Sequence, residues 1–378
     1  MTLRLRHPRT LWASWLPFAL LLVVASLTLS AAPVRAEIRV TDLAGRDVVL
    51  QAPAQRIVLG EGRHLAVLGM LHDDPVALLA GWRQDKGLDP ATYEAYLAKF
   101  PALADVAAVG AGNRQLSVES TIALMPDLVL LSLMDARDPQ MEMPLRQLEA
   151  AGIPVAFVDF FTAPLDNTLP SLRLIGALTG AEARAEDFAE FYQEHLDALR
   201  LTLKATQPAP PRVFIHVHAA PNGCCATVGP GVFDEFVEAA GGYNIGRDSV
   251  PGVMGNVGLE NLLAADPDVY LATGGAHMAA RGGLVLGAGI DAETAEQSFA
   301  ALTATPGFAD LRAVQEGRAI GIWHLFNDFP AHIALIEALA KRFHPDLFPD
   351  LDPMATMAEF EDRFSPVPMS GSYWTPAE

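Results

Sequence analysis

Three histidines, His218, His277 and His324, each fall at or just past the end of an apolar run of strand character. Imidazoles in such places serve as metal ligands or as polar contacts to a bound molecule, and a three-histidine metal site needs all of them at one point. A second chemical signal comes from arginine. The loops after five apolar runs in the first half read Gly60-Glu-Gly-Arg63-His64, Gly81-Trp82-Arg83, Gly110-Ala-Gly-Asn-Arg114, Leu133-Met-Asp-Ala-Arg137 and Phe160-Phe161. Four of the five carry a guanidinium, a planar and always charged fork suited to anionic oxygens. Each alone reads as a surface cation paired with one of the chain's many acids; as a set with Arg281 they read as an anion-recognising rim, with Trp82, Phe161 and Trp323 available for apolar contact. The third signal is Cys224-Cys225, the chain's two cysteines. An adjacent pair cannot staple a distant loop and lacks zinc-finger spacing, so it forms a vicinal disulfide or two buried thiols.

Other chemistry is excluded by what the chain lacks. There is no His-Glu-x-x-His and no Gly-x-Ser-x-Gly. Gly60-Glu-Gly62 could open a dinucleotide fingerprint, but Leu65 stands where the third glycine is needed. We therefore expect no catalysis and no cofactor, with a secreted metal-dependent hydrolase as the distant alternative.

These residues need a scaffold, and hydrophobic patterning supplies one. Residues 38–50 alternate around Leu43-Ala-Gly45-Arg46 as a hairpin. Buried strands are expected at 56–60, 76–80, 106–109, 128–133 and 155–160, then at 212–219, 269–272 and 319–323, with helical segments between them. The two-residue strand period puts His216 and His218 on one face. Between the halves, Phe188, Phe191, Tyr192, Leu196, Leu199 and Leu203 line one side of a helix over residues 181–204, with acids opposite. At about 1.5 Å per residue it spans about 36 Å, enough to act as a strut.

The halves repeat one another. Leu116-Ser-Val-Glu119-Ser-Thr-Ile-Ala-Leu-Met-Pro126-Asp127-Leu-Val-Leu130 aligns without a gap on Val257-Gly-Leu-Glu260-Asn-Leu-Leu-Ala-Ala-Asp-Pro267-Asp268-Val-Tyr-Leu271. Each copy reads as a short helix opened by glutamate, a Pro-Asp turn and a buried strand. The expected fold is α/β, two α/β lobes joined by a single long interdomain helix. Its parts are residues 37–164, a helical linker 165–207, 208–348, and a C-terminal helix and tail 349–378.

The N-terminus carries an address. Arg4, Arg6 and Arg9 precede an apolar stretch at 16–29, and Val34-Arg-Ala36 ends in small residues, the pattern of a cleaved secretory signal. Of 26 basic and 45 acidic residues in the whole chain, four arginines fall in residues 1–36, which leaves a net charge of −23 after cleavage. So acidic a protein is a poor partner for nucleic acid or an anionic membrane.

The opening Val40-Thr-Asp-Leu-Ala-Gly-Arg46 through Pro53-Ala-Gln-Arg56-Ile-Val58, the repeated glutamate and Pro-Asp segments, and the ending Leu339-Ala-Lys-Arg-Phe-His344-Pro-Asp-Leu-Phe348 resemble the iron-siderophore/vitamin B12 periplasmic binding proteins. These are the solute receptors of ABC importers. The resemblance implies a class III fold with a ligand cleft between lobes, a monomer in the periplasm, and a partner permease with its ATPase. It further implies that Glu119 and Glu260 dock into arginine pockets of that permease. Cargo is expected to be an iron chelate, an anionic ferric siderophore first, met by Arg63, His64, Trp82, Arg83, Arg114, Phe161, His218, His277, Arg281, Trp323 and His324. Haem and cobalamin are the alternatives within the class, and a sensor or scaffold of the same fold is another.

Overall fold

The computed structural model describes residue 2, residues 37–111 and residues 115–376. Apart from residue 2, the expected signal segment lies outside these, as does Arg114. Residues 38–378 form one compact unit.

The chain opens with an antiparallel hairpin, β1 (Ile38–Thr41) and β2 (Asp47–Leu50). Asp42 holds its turn by accepting from the N–H groups of Ala44 and Arg46. Then come β3 (Ile57–Leu59), α1 (His64–Leu71), β4 (Leu79–Trp82), α2 (Pro90–Lys99), β5 (Ala107–Ala108), α3 (Val118–Ala123), β6 (Leu128–Ser132), α4 (Glu142–Ala150) and β7 (Val155–Val158). A parallel sheet of order β5-β4-β3-β6-β7 results. Both its faces are covered. Ile57, Leu59, Leu128 and Leu130 face one apolar cluster, while Val58, Val129 and Leu131 face another. Strands buried on two sides read as unbroken apolar runs, which is why they were visible in the sequence. The strand expected at 76–80 is displaced. A 3-10 turn occupies Val76–Leu78 behind Pro75, and pairing starts at Leu79.

Two helices follow, α5 (Pro164–Thr179) and α6 (Glu182–Thr206). Gly180 ends α5 in the left-handed region at φ 75°, which glycine adopts without strain. The 25-residue α6 begins and ends within two residues of the span that periodicity predicts. Its apolar side buries Phe188, Phe191, Tyr192, Leu196 and Leu199. At one end Arg184 Nε donates to the Met70 carbonyl of α1 (3.3 Å).

The second half runs β8 (Arg212–His216), β9 (Ala226–Val228), α7 (Phe233–Ala239), β10 (Tyr243–Asn244), β11 (Met254–Asn256), α8 (Leu259–Ala265), β12 (Val269–Gly274), α9 (Ala292–Thr303), β13 (Ala319–Trp323), α10 (His332–Phe343), α11 (Pro353–Phe364) and β14 (Trp374–Thr375). Its sheet has order β10-β8-β12-β13-β14, parallel except for β14, which returns antiparallel to β13. The segment after 349 is therefore more than a helix and tail, because its last strand closes this sheet. Further along α6, Tyr192 Oη meets His332 Nε2 of α10 (2.8 Å), and Phe188 packs edge-on against Phe360 and Phe364 of α11. One apolar cluster runs from Val48 through α6 to Trp374, so the two sheets share a core.

The internal repeat has a structural cause. Asp127 accepts from the backbone N–H groups of Gln55 and Arg56 (2.8 and 2.9 Å), and the Arg56 guanidinium donates to the carbonyls of Leu124 and Met125. In the second half Asp268 accepts from Arg212 N–H (2.9 Å), and Arg212 donates to the carbonyls of Ala265 and Asp266. Met125 and Asp266 both have positive φ, 47° and 41°. In each copy the aspartate ties the start of the first strand to the turn before the next, and the arginine closes the helix end.

Phe188→Ala should lower unfolding free energy by about 3–5 kcal/mol, as for a large aromatic removed from a packed core. Glu186→Ala, at an exposed pair with Arg173, should cost about 1 kcal/mol or less. Urea denaturation of both variants checks the difference.

Candidate functional site

In open parallel sheets ligands gather beyond the carboxyl ends of the strands. Here Arg63, after β3, meets Asp328, after β13, and the loops after β8 and β12 bring His218 and His277 against His324.

From the first sheet, β3 delivers Gly60-Glu61-Gly62-Arg63. A side chain at Gly62 would run into the Arg83 carbonyl, so glycine is required for this close approach. Arg63 is held on two sides. Its Nε donates to Glu61 Oε1 at 2.8 Å, and its Nη2 reaches Asp328 Oδ2 of the second half at 3.1 Å. Lys86 Nζ lies 3.5 Å from the other Glu61 oxygen and 3.9 Å from Asp135. Burial opposes the charge of Glu61, but Arg63, His64 and Lys86 carry its pKa below the usual carboxylate range. Asp328 goes the other way. Burial, joined by Glu61 and Asp159, pushes it up to about 7 against the pull of Arg63.

From the second sheet come the imidazoles. The ladder of β8 ends at His216, and Val217 N–H donates instead to the Ala226 carbonyl of β9. His218 therefore lies in a turn at φ 49°, and its N–H donates to Thr273 Oγ1 (3.0 Å). The expected shared face for His216 and His218 fails for this reason. His216 is in the core, against Tyr270 Oη (2.7 Å) and Phe308. His218, His277 and His324 do converge. His277 Nε2 is 2.9 Å from His218 Nδ1, and the His218 ring lies 3.8 Å from that of His324 by centroid. His324 is fixed through Nδ1 to Thr273 Oγ1 (2.9 Å) and Nε2 to Asn327 Nδ2 (3.2 Å). Burial, then neighbouring positive charge, lowers all three, His218 to about 4. All three are neutral at pH 7; both nitrogens of His324 are engaged by Thr273 and Asn327, while His218 and His277 are engaged with each other. Among the described residues, no three His, Cys, Asp or Glu side chains surround a single metal position.

Beside the ion cluster around Arg63 is an apolar hollow, part of it open to solvent. Arg63, Met70 and Tyr96 line it from the first half, and Trp323, Phe329 and Tyr373 from the second.

The other expected contacts are placed differently. Trp82, 1 % exposed, stacks on Tyr93 in the core. Arg83, 2 % exposed, donates from Nη2 to Asp85 at 2.6 Å. His64 is buried edge-on against Phe160. These three lie behind the surface of the region: Trp82 is the last residue of β4, Arg83 follows it directly, and His64 opens α1, so each packs inward on its own element. Phe161 is half-buried in the Asp159 turn, where its N–H donates to Asp159 Oδ1 (3.2 Å). Arg281 is exposed, and its charge reaches both His218 and His277. Cys224 and Cys225 are joined as a disulfide. Sequence reasoning missed Glu61, Lys86 and Asp328. Glu61, two residues before Arg63, was the available signal.

A family model described as "Periplasmic binding protein" matches residues 70–322. The chain is 30% identical over 161 residues to the vitamin B12-binding protein of Pectobacterium carotovorum subsp. carotovorum, covering 42% of this chain and 54% of that protein. It thus spans about half the length of this curated relative. Among solved structures, the TroA-like periplasmic binding protein FepB from Veillonella parvula superposes with a TM-score of 0.82 at 26% identity, covering 89% of this chain and 99% of that one. A periplasmic heme binding protein from Pseudomonas aeruginosa matches with a TM-score of 0.53 at 22% identity, over 79% and 94%, a likeness of fold alone.

Asp328→Asn tests the ion cluster. A carboxyl whose folded pKa is raised to about 7 gains a proton on folding at pH 5, so it stabilises the fold increasingly as pH falls from 7 toward 4. The asparagine variant lacks this gain. Its deficit against wild type in urea denaturation should be larger at pH 5 than at pH 8.

Proposed function

Because the chain belongs to the periplasmic binding protein family, we propose that it captures a metal chelate, an iron chelate first, and delivers it to an ABC permease in the inner membrane. What carries this reading is the meeting of His218, His277 and His324 beyond three strands of one sheet, near the ion cluster around Arg63. Neutral imidazoles contact a metal complex or its polar groups without the cost of burying further charge.

The recognition differs from a rim of free arginines. Arg63 is engaged by Glu61 and Asp328, and Arg83 by Asp85. A strongly anionic siderophore would have to compete with those carboxylates. A chelate of low net charge fits better, with its apolar parts against Trp323 and Phe329 and any residual negative charge toward Arg281. Haem is a second reading, favoured by the same imidazoles, since histidine is a common axial ligand. Titrating purified protein with ferric chelates, hemin and cobalamin separates these. Quenching of tryptophan fluorescence by the ferric chelates alone supports the proposal, and a shifted Soret band or a bound corrinoid spectrum replaces it.

Docking is the other half of the proposal. Glu119 and Glu260 are exposed in the first turns of α3 and α8, at matching places in the repeat. Each also faces the positive end of its helix, worth about 0.3–1 kcal/mol. Reversing both to arginine should abolish uptake into cells while chelate affinity changes less than about twofold. Transport assays and calorimetry on the same variant check this. Normal uptake would point to a sensor or scaffold role instead.

A further inference from the structure

Resting on the reading of this region as a metal-chelate site, we propose that His218 Nδ1 and His277 Nε2 together fill two adjacent coordination positions on the metal of the cargo. The cargo is then a transition-metal complex whose own chelator supplies no more than four donor atoms.

The geometry comes first. The two nitrogens are 2.9 Å apart and share a hydrogen bond. With metal–imidazole bonds of about 2.0–2.1 Å, nitrogens at that separation subtend about 90° at a metal placed between them. A tetrahedral pair would stand about 3.3–3.4 Å apart. The spacing thus fits neighbouring corners of an octahedral or square-planar ion, the geometries of nickel, copper and six-coordinate iron, once each ring turns its nitrogen from the shared hydrogen bond toward the metal. Insertion needs no net proton loss. The ring that donates the hydrogen bond moves its proton to its other nitrogen, and two water ligands leave the metal.

The number of donors comes second. His324 adds no third bond, because Thr273 and Asn327 occupy its two nitrogens. It acts as a positioning residue, with its ring 3.8 Å from that of His218, while Thr273 also accepts from the His218 N–H. Among the described residues no third His, Cys, Asp or Glu completes a metal position. Two imidazoles hold a bare ion weakly, so the remaining ligands must arrive with it. Four donors from a chelator complete six. A hexadentate chelate leaves no open position, and a planar macrocycle leaves two that face opposite ways, of which a cis pair can fill one.

Nickel complexes test this with tag-free protein in calorimetry. Nickel(II) nitrilotriacetate leaves two adjacent positions open, whereas nickel(II) EDTA leaves none. The first should bind with one-to-one stoichiometry and shift its d–d bands to higher energy as nitrogen replaces water. The second should bind at least tenfold more weakly. His218→Ala and His277→Ala should each weaken the nitrilotriacetate complex tenfold or more, with folding checked by circular dichroism. His218→Gln is the second variant should the alanine unfold. Equal binding of both complexes, or binding indifferent to His218 and His277, overturns the inference. If instead a hexadentate ferric chelate binds and nickel nitrilotriacetate does not, the inference falls while the receptor reading stands. If no chelate binds at all, both fall.

Discussion

A guanidinium removed from water must take carboxylates with it, and this constraint organises the region between the two sheets. Arg63, a quarter exposed, is still too far removed from water to stay unpaired, so Glu61 comes from the same loop and Asp328 from the opposite half. Pairing makes burial tolerable at the cost of rigidity, since an uncompensated charge in such a place costs several kcal/mol. The pair also ties a loop of one sheet to a loop of the other. What is left facing a ligand is then decided by subtraction. The charged groups are largely spent on one another, and the neutral pair His218 and His277, bonded to each other, is what remains for a ligand in the proposed reading.

That arrangement requires both sheets to present their strand ends to a common space. The repeated clamps contribute here. Arg56 with Asp127, and Arg212 with Asp268, fix the start of one strand against the turn before its neighbour in each half. Both turns pass through positive φ, so the clamp compensates a local backbone cost with hydrogen bonds. The helix α6 then packs on α1 at one end and on α10 and α11 further along, within a core continuous across both sheets. A shared core resists wide separation, so small movements of the facing loops are the expected response to cargo. The chain belongs to the periplasmic binding protein family, and the proposed cargo site is in this region.

Much of this was legible in the sequence, and for physical reasons. Strands buried on two faces must be apolar throughout, so β6 and β12 announced themselves as Leu-Val-Leu and Val-Tyr-Leu runs after Pro-Asp. A 25-residue helix with one wet side must show the 3.6-residue period, and α6 does. The gap-free alignment of Glu119 through Leu130 with Glu260 through Leu271 marked the repeated Pro-Asp turns, but Arg56 and Arg212, which complete each clamp, lie outside it. His218, His277 and His324 were recognisable because each follows a strand, and strand ends are where a sheet presents its chemistry.

Other features depended on distances between residues far apart in the chain. Sequence offered arginine as a free fork for an anion, but whether a guanidinium is free depends on what lies within 4 Å of it. Asp328 is 265 positions from Arg63 and has no local reason to approach it. Trp82 and His64 were expected at the ligand and are instead packed inward, because the last residue of β4 and the first of α1 both turn toward the core layer beneath them. Composition and periodicity therefore determined the layers, the repeat and the ends where chemistry gathers. Only the tertiary structure decided which charges cancel and which nitrogens stand 2.9 Å apart, since pair interactions depend on separation in space and the linear order does not carry it.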